Sequence, residues 1–196
     1  SGDYTHHYST VNSCDSLVTA HITINPSLIA SVFVTTNDID NTICVGQTIK
    51  FTANPTNGGT APTYQWKINS VSITDSTNIT FTPQGLIDGD VVTVEMTSNA
   101  TPCLSGSPAL SNEINITVNA LPVVDAITGE TTVCSTATNL VSNPDGGVWT
   151  SSNYNIAVVN NTGYGATVVN RIDSGAATIT YTVTDNNGCV AMLVHW

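Results

Sequence analysis

The sequence predicts an all-β protein built of antiparallel β-sandwiches set in tandem. Three observations carry this prediction. Apolar residues recur at every second position over many short runs, turn-forming clusters separate those runs, and both cysteines and strand patterns repeat at intervals of 86 to 90 residues.

Taken in order, the runs read as follows. "YTHHYSTVNSC" and "VTAHITIN" form an opening hairpin. "TYQWKI" places Tyr64, Trp66 and Ile68 on one face, with Gln65 and Lys67 on the other. "EINITV" turns Ile114, Ile116 and Val118 inward, and "ATITYTV" does the same with Ile179, Tyr181 and Val183. Between them stand "NPTNGGTAP" at 54–62, "DGD" at 88–90, "NPDGG" at 143–147 and "DNNG" at 185–188, whose Gly, Pro, Asn and Asp supply turn geometry. No segment carries a helical 3.6-residue period. Alternating polar and apolar positions with short turns favour packed antiparallel sheets.

The five cysteines sharpen the repeat. Cys14, Cys103 and Cys189 lie 89 and 86 residues apart, and each falls between a strand and its return strand. Cys44 in "TICVGQTIKF" and Cys134 in "TVCSTATNLV" lie 90 residues apart, each just ahead of a strand. One module therefore has an early and a late cysteine, and the expected bridges are Cys44–Cys103 and Cys134–Cys189. Cys14 is a late cysteine whose early partner is expected upstream of Ser1, leaving it unpaired in this chain. On this reading residues 1–26 are the closing hairpin of a preceding module, 27–119 one whole module, and 120–196 a second whose last strand is cut short. The alternative is a complete protein in which Cys14 is free or bonds a neighbouring subunit.

Composition narrows the setting. Of 196 residues, 40% are hydrophobic and only 9% are charged, with a net charge of −11. Lys50, Lys67 and Arg171 are the only permanent cations, too few to neutralise a run of phosphates, so nucleic acid is not an expected partner. An anionic membrane surface is disfavoured on the same ground, and no apolar run reaches the roughly 18 residues of a membrane-spanning helix. Spaced cysteines among uncharged polar strands favour an oxidising, extracellular location.

"CVGQTIKFTANPTNGGTAPTYQWKIN" followed by "FTPQGLIDGDVVTVEMTSNATPC" resembles the PKD-like, immunoglobulin-like repeats of large Bacteroidetes surface proteins. "GGVWTSSNYNIAVVN" with "GAATITYTVTDNNGC" resembles bacterial immunoglobulin-like repeats of the same proteins, and residues 1–26 resemble the closing hairpin of another. The resemblance implies tandem immunoglobulin-like sandwiches, cell-surface display and export, often by the type 9 secretion route. It also implies a role in gliding-motility or other adhesins, or as a spacer beside an enzyme. In such a module Trp66 and Trp149 fall on the third strand and fill the core near the bridge. Each bridge closes a loop of roughly 60 residues, worth about 4 kcal/mol on the chain-entropy model. Pro26 and "NALP" at 119–122 mark short, stiff joints.

Few residues invite chemistry. His6 and His7 are strand neighbours pointing to opposite faces, with His6 aligned to the core-facing Tyr181. His7 and His21 are expected to face each other across the hairpin, giving at best two metal ligands. His195 stands near the end of the last strand. Asp38 and Asp40 in "NDIDN", and Asp88 and Asp90 in "DGD", offer paired carboxylates suited to calcium, with turn capping as the ordinary reading. Sequons occur at Asn78, Asn99, Asn115 and Asn160. No nucleophile elbow, phosphate loop, HExxH or CxxC is present, so no enzyme is expected. The leading expectation is a stalk segment of an extracellular adhesin or filament, whose partners are neighbouring modules, like subunits or surface glycans. The alternatives are a carbohydrate-binding module, with Tyr154 and Tyr164 as stacking candidates, and an ancillary domain of a secreted hydrolase.

Overall fold

The computed structural model describes residues 2–9, 15–160 and 165–195, and every regular element in them is a strand. The chain opens with β1 (Gly2–Ser9) and β2 (Asp15–Ile22), an antiparallel hairpin in which Gly2 lies opposite Ile22 and Ser9 opposite Asp15. The central strands are β3 (Leu28–Ile29), β4 (Ser31–Thr36), β5 (Thr42–Cys44), β6 (Phe51–Thr56), β7 (Thr63–Ile68), β8 (Val71–Ser72) and β9 (Thr80–Phe81). After them come β10 (Val91–Thr97), β11 (Leu104–Ser105), β12 (Ala109–Leu110), β13 (Ile114–Asn115) and β14 (Thr117–Asn119). The remainder is β15 (Ala137–Val141), β16 (Val148–Ser151), β17 (Ala157–Val159), β18 (Ala166–Arg171), β19 (Ile179–Thr184) and β20 (Val190–His195). The fold is all-β and consistent with immunoglobulin-like sandwich architecture.

Two compact units emerge. The first holds residues 1–39, 49–82 and 90–115. The second holds 40–48, 83–89 and 116–196, so two short segments from the middle of the chain group with its C-terminal part. In the first unit one sheet runs β12–β10–β7–β8, with β13 also on β10, and the other runs β4–β6–β9. Alternation buries Val32 and Val34 of β4, Phe51 and Ala53 of β6, Tyr64 and Trp66 of β7, and Val92, Val94 and Met96 of β10. In the second unit β15–β18–β17 and β16–β19–β20 form two three-stranded sheets, beside the two-stranded ladder of β14 and β5. Its core is Leu140, Trp149, Val169, Ile179, Tyr181 and Val183, with Val124, Ile127, Ala157 and Val159 packed against it.

Not every ladder is antiparallel. β3 runs parallel to β11 and β14 parallel to β5. The run Ile114–Val118, expected as one strand, is divided at buried Ile116. Asn115 still pairs with Val91 in β10, whereas Thr117 pairs with Thr42 in β5. Alternation alone sees one continuous strand here because the inward face is kept while the hydrogen-bonding partner changes.

The hairpin departs from expectation in two ways. Its register sets His7 opposite Leu17 and His21 opposite Asp3, so His7 and His21 do not face each other. The His21 ring nitrogen Nδ1 instead lies within hydrogen-bonding distance of the Asp3 carboxylate. His6 is exposed instead of core-facing, as are its neighbours at 2–7 and 17–22. A two-stranded ribbon has no second layer to cover either face.

Candidate functional site

The cysteines are the chemistry this chain carries most plainly, and the structure joins them differently from the spacing. Cys44 is bonded to Cys189, with Cα atoms 5.6 Å apart and 145 residues between them in sequence. Cys103 and Cys134 are free thiols, both exposed. The expected bridges Cys44–Cys103 and Cys134–Cys189 are therefore corrected. The reason is strand pairing. Cys44 ends β5, whose ladder with β14 draws it into the second unit, where Cys189 sits in the turn between β19 and β20. There Asp185 accepts the Cys189 N–H, and Gln47 accepts that of Cys44 at 2.9 Å. Cys103 lies in the first unit, where its carbonyl accepts the Leu28 N–H at 3.0 Å. Cys14 lies outside the described residues.

The cysteines nevertheless hold matching places. In each unit a tryptophan strand pairs with a later strand: β7 with β10, where Trp66 meets Val94, and β16 with β19, where Trp149 meets Tyr181. Cys103 follows β10 as Cys189 follows β19, and Cys44 precedes β6 as Cys134 precedes β15.

Both tryptophans lie in the cores. Trp66 is 0% exposed, stacks on Phe81 with ring centroids 5.3 Å apart, and donates Nε1–H to the Asn78 carbonyl at 2.8 Å. Trp149 is 2% exposed and packs on Tyr181 at 4.5 Å. Neither leaves a ring face for a sugar. Tyr154 is 53% exposed, while Tyr164 lies outside the described residues.

Three of the four aspartate carboxylates accept hydrogen bonds, and only that of Asp40 does so within its own turn. Asp40 accepts the Thr42 N–H, Asp88 the Val118 N–H at 3.0 Å, and Asp90 the Asn69 side-chain amide at 2.7 Å. Asp38 offers its main-chain carbonyl to the Thr36 hydroxyl. Among the described residues no three His, Cys, Asp or Glu side chains gather as a metal site. The Asn99 amide is engaged with Ala61 N–H and Thr60 Oγ1, closing the 58–61 turn.

Sequence reasoning missed a cavity of about 390 Å³ in the second unit. Leu140, Val169 and Ile179 floor it, and Glu130, Arg171 and His195 stand among its walls. The His195 ring lies 3.4 Å from the Glu130 carbonyl. Its lining comes from residues 130–133, the five strands β15, β17, β18, β19 and β20, and the 173–177 loop, so no local run of sequence betrays it.

No protein-family model matches the chain, and no curated protein matches it either.

Proposed function

We propose that this chain is a structural segment of an extracellular bacterial surface adhesin or filament, built of tandem immunoglobulin-like modules that give reach and stiffness, with no catalytic role. The observation that carries the reading is a layout that recurs along the chain: a buried tryptophan strand, its partner strand, a cysteine after that partner strand and another ahead of the strand that precedes the tryptophan strand. A layout used twice with different core residues is what a repeated scaffold requires, since the surface of each copy is free to vary. The resemblance to PKD-like repeats supports surface display. A buried bridge supports an oxidising compartment, and the net charge of −11 opposes side-by-side collapse of neighbouring modules.

Small-angle scattering on monomeric chain tests the reading. Two modules end to end give a particle much longer than it is wide. A profile with the radius of gyration of one compact body, which for 196 residues is about 16 Å, overturns the stalk. Specific, saturable retention on a glycan array that Tyr154→Ala abolishes would transfer the reading to a carbohydrate-binding module.

A further inference from the structure

The bonded and the free cysteines follow one rule. The bridge joins an early cysteine, Cys44 ahead of β6, to a late one, Cys189 behind β19, and so connects the early position of the first repeat to the late position of the second. Carried one step in each direction, the rule leaves Cys103 as a late thiol awaiting the early cysteine of another repeat. It leaves Cys134 as an early thiol awaiting a late one. We propose that these two are the open halves of the same staple, and that the chain joins a second copy of itself head to tail through a Cys134–Cys103 disulfide.

Two further observations point to a missing partner. The bonded sulfurs are covered, Cys44 at 8% exposure and Cys189 at 0%, whereas Cys103 and Cys134 are both exposed. Among the described residues, the segment leading into Cys134 also pairs with no strand. Thr132–Cys134 reads "TVC" where Thr42–Cys44 reads "TIC". The latter is strand β5, held by β14. The former forms no strand, and its Thr132 and Cys134, with Gly129–Thr131 and Ser135, border an open recess. Backbone edge and thiol are thus left open together at the position where the first repeat has both engaged. Among the described residues, the late cysteine that a second copy offers in free form is Cys103, because Cys189 is already bonded.

The chemistry is thiol–disulfide exchange with a small disulfide oxidant such as oxidised glutathione. The Cys134 thiolate attacks one glutathione sulfur and releases the first glutathione thiol. The Cys103 thiolate of the second copy then attacks the protein sulfur of that mixed disulfide and releases the second. Two protein thiols are oxidised, one glutathione disulfide is reduced to two thiols, and the protons pass through solvent.

This deepens the tandem-module reading and rests on its repeat assignment. The test reads thiol pairing, whereas scattering reads shape, so either can fail alone. Cys14→Ser is placed in every sample so that only Cys103 and Cys134 react, and each is incubated in a glutathione redox buffer. The Cys14→Ser chain is expected to give covalent dimers and higher species on non-reducing electrophoresis, with Cys103–Cys134 found by peptide mapping. Adding Cys103→Ser or Cys134→Ser is expected to leave monomer only. Mixing those two variants is expected to restore dimer and nothing larger. Thermal melting and an intact Cys44–Cys189 peptide establish that each variant is folded. Dimers in either single variant, mapped as Cys103–Cys103 or Cys134–Cys134, would overturn the head-to-tail code, as would folded monomers in every sample.

Discussion

Trp66 and Trp149 occupy matching strands, yet the two units build around them by different means. Trp66 sits in an aromatic group with Phe51 and Phe81, and its indole N–H is satisfied by a backbone carbonyl. The second unit stacks Trp149 on one tyrosine and leaves the buried indole N–H without an acceptor. Its hydrogen bonding is carried instead by Tyr181, whose hydroxyl donates to the Pro144 carbonyl and accepts the Gly147 N–H. A β-carbon on Gly147 would fall 2.3 Å from the Tyr181 ring, so only glycine admits that approach. The second unit also has the disulfide. The first unit is thus stabilised by aromatic packing, and the second by a tyrosine tie and a covalent staple. This is the familiar trade in small domains, where a cross-link offsets limited core burial.

The largest expected effect tests the staple. Closing a loop of 145 residues is worth about 5 kcal/mol on the chain-entropy model. The loop also encloses residues 49–82 and 90–115 of the first unit, so reduction, or Cys189→Ser, should lower the unfolding transition of the second unit, which holds the bridge, more than that of the first. Calorimetry with and without reductant checks this, and an equal shift in both transitions would erase the contrast.

Next come the cores. Trp66→Ala and Trp149→Ala should each cost about 3–5 kcal/mol in their own unit, as read by denaturant unfolding. A variant that melts like the parent would show that its tryptophan does not hold the core.

The two buried tyrosines separate the units more finely. Tyr181→Phe strands the Pro144 carbonyl and the Gly147 N–H, and should cost about 2 kcal/mol. Tyr64→Phe removes a buried hydroxyl with no partner, and should be neutral or stabilising by up to about 1 kcal/mol. Burial raises the Tyr64 phenol above its ordinary value. The neutral phenol therefore favours folding below the unfolded pKa of about 10, and that contribution is lost as pH climbs from there towards the raised folded value. The first unit should lose stability above about pH 10, and Tyr64→Phe should flatten that slope in a pH series of melts.

The smallest effect compares the indoles. Trp66→Phe loses a hydrogen bond to Asn78 that Trp149→Phe does not have to lose, so it should cost about 1 kcal/mol more. Equal costs would mean that the Asn78 bond adds nothing to folding.

Alternation in the sequence was enough to specify β7 and β19, their inward faces and the buried place of both tryptophans. Those properties follow from side-chain period and burial, which are local. "ATITYTV" needs no tertiary information to place Ile179, Tyr181 and Val183 inside, and all three are buried. The tertiary structure alone decided the partners. Ile114–Val118 changes ladders at Ile116 without breaking its pattern. Cys44 meets Cys189 across 145 residues. His7 faces Leu17 because the register of β1 on β2 is a pairing of backbones that side-chain alternation does not fix. Equal spacing of cysteines defines a repeat, but two places related by a repeat are equivalent, and equivalence does not reveal which place touches which. That depends on how β5 and β14 align, a contact between segments more than 70 residues apart that no local pattern encodes.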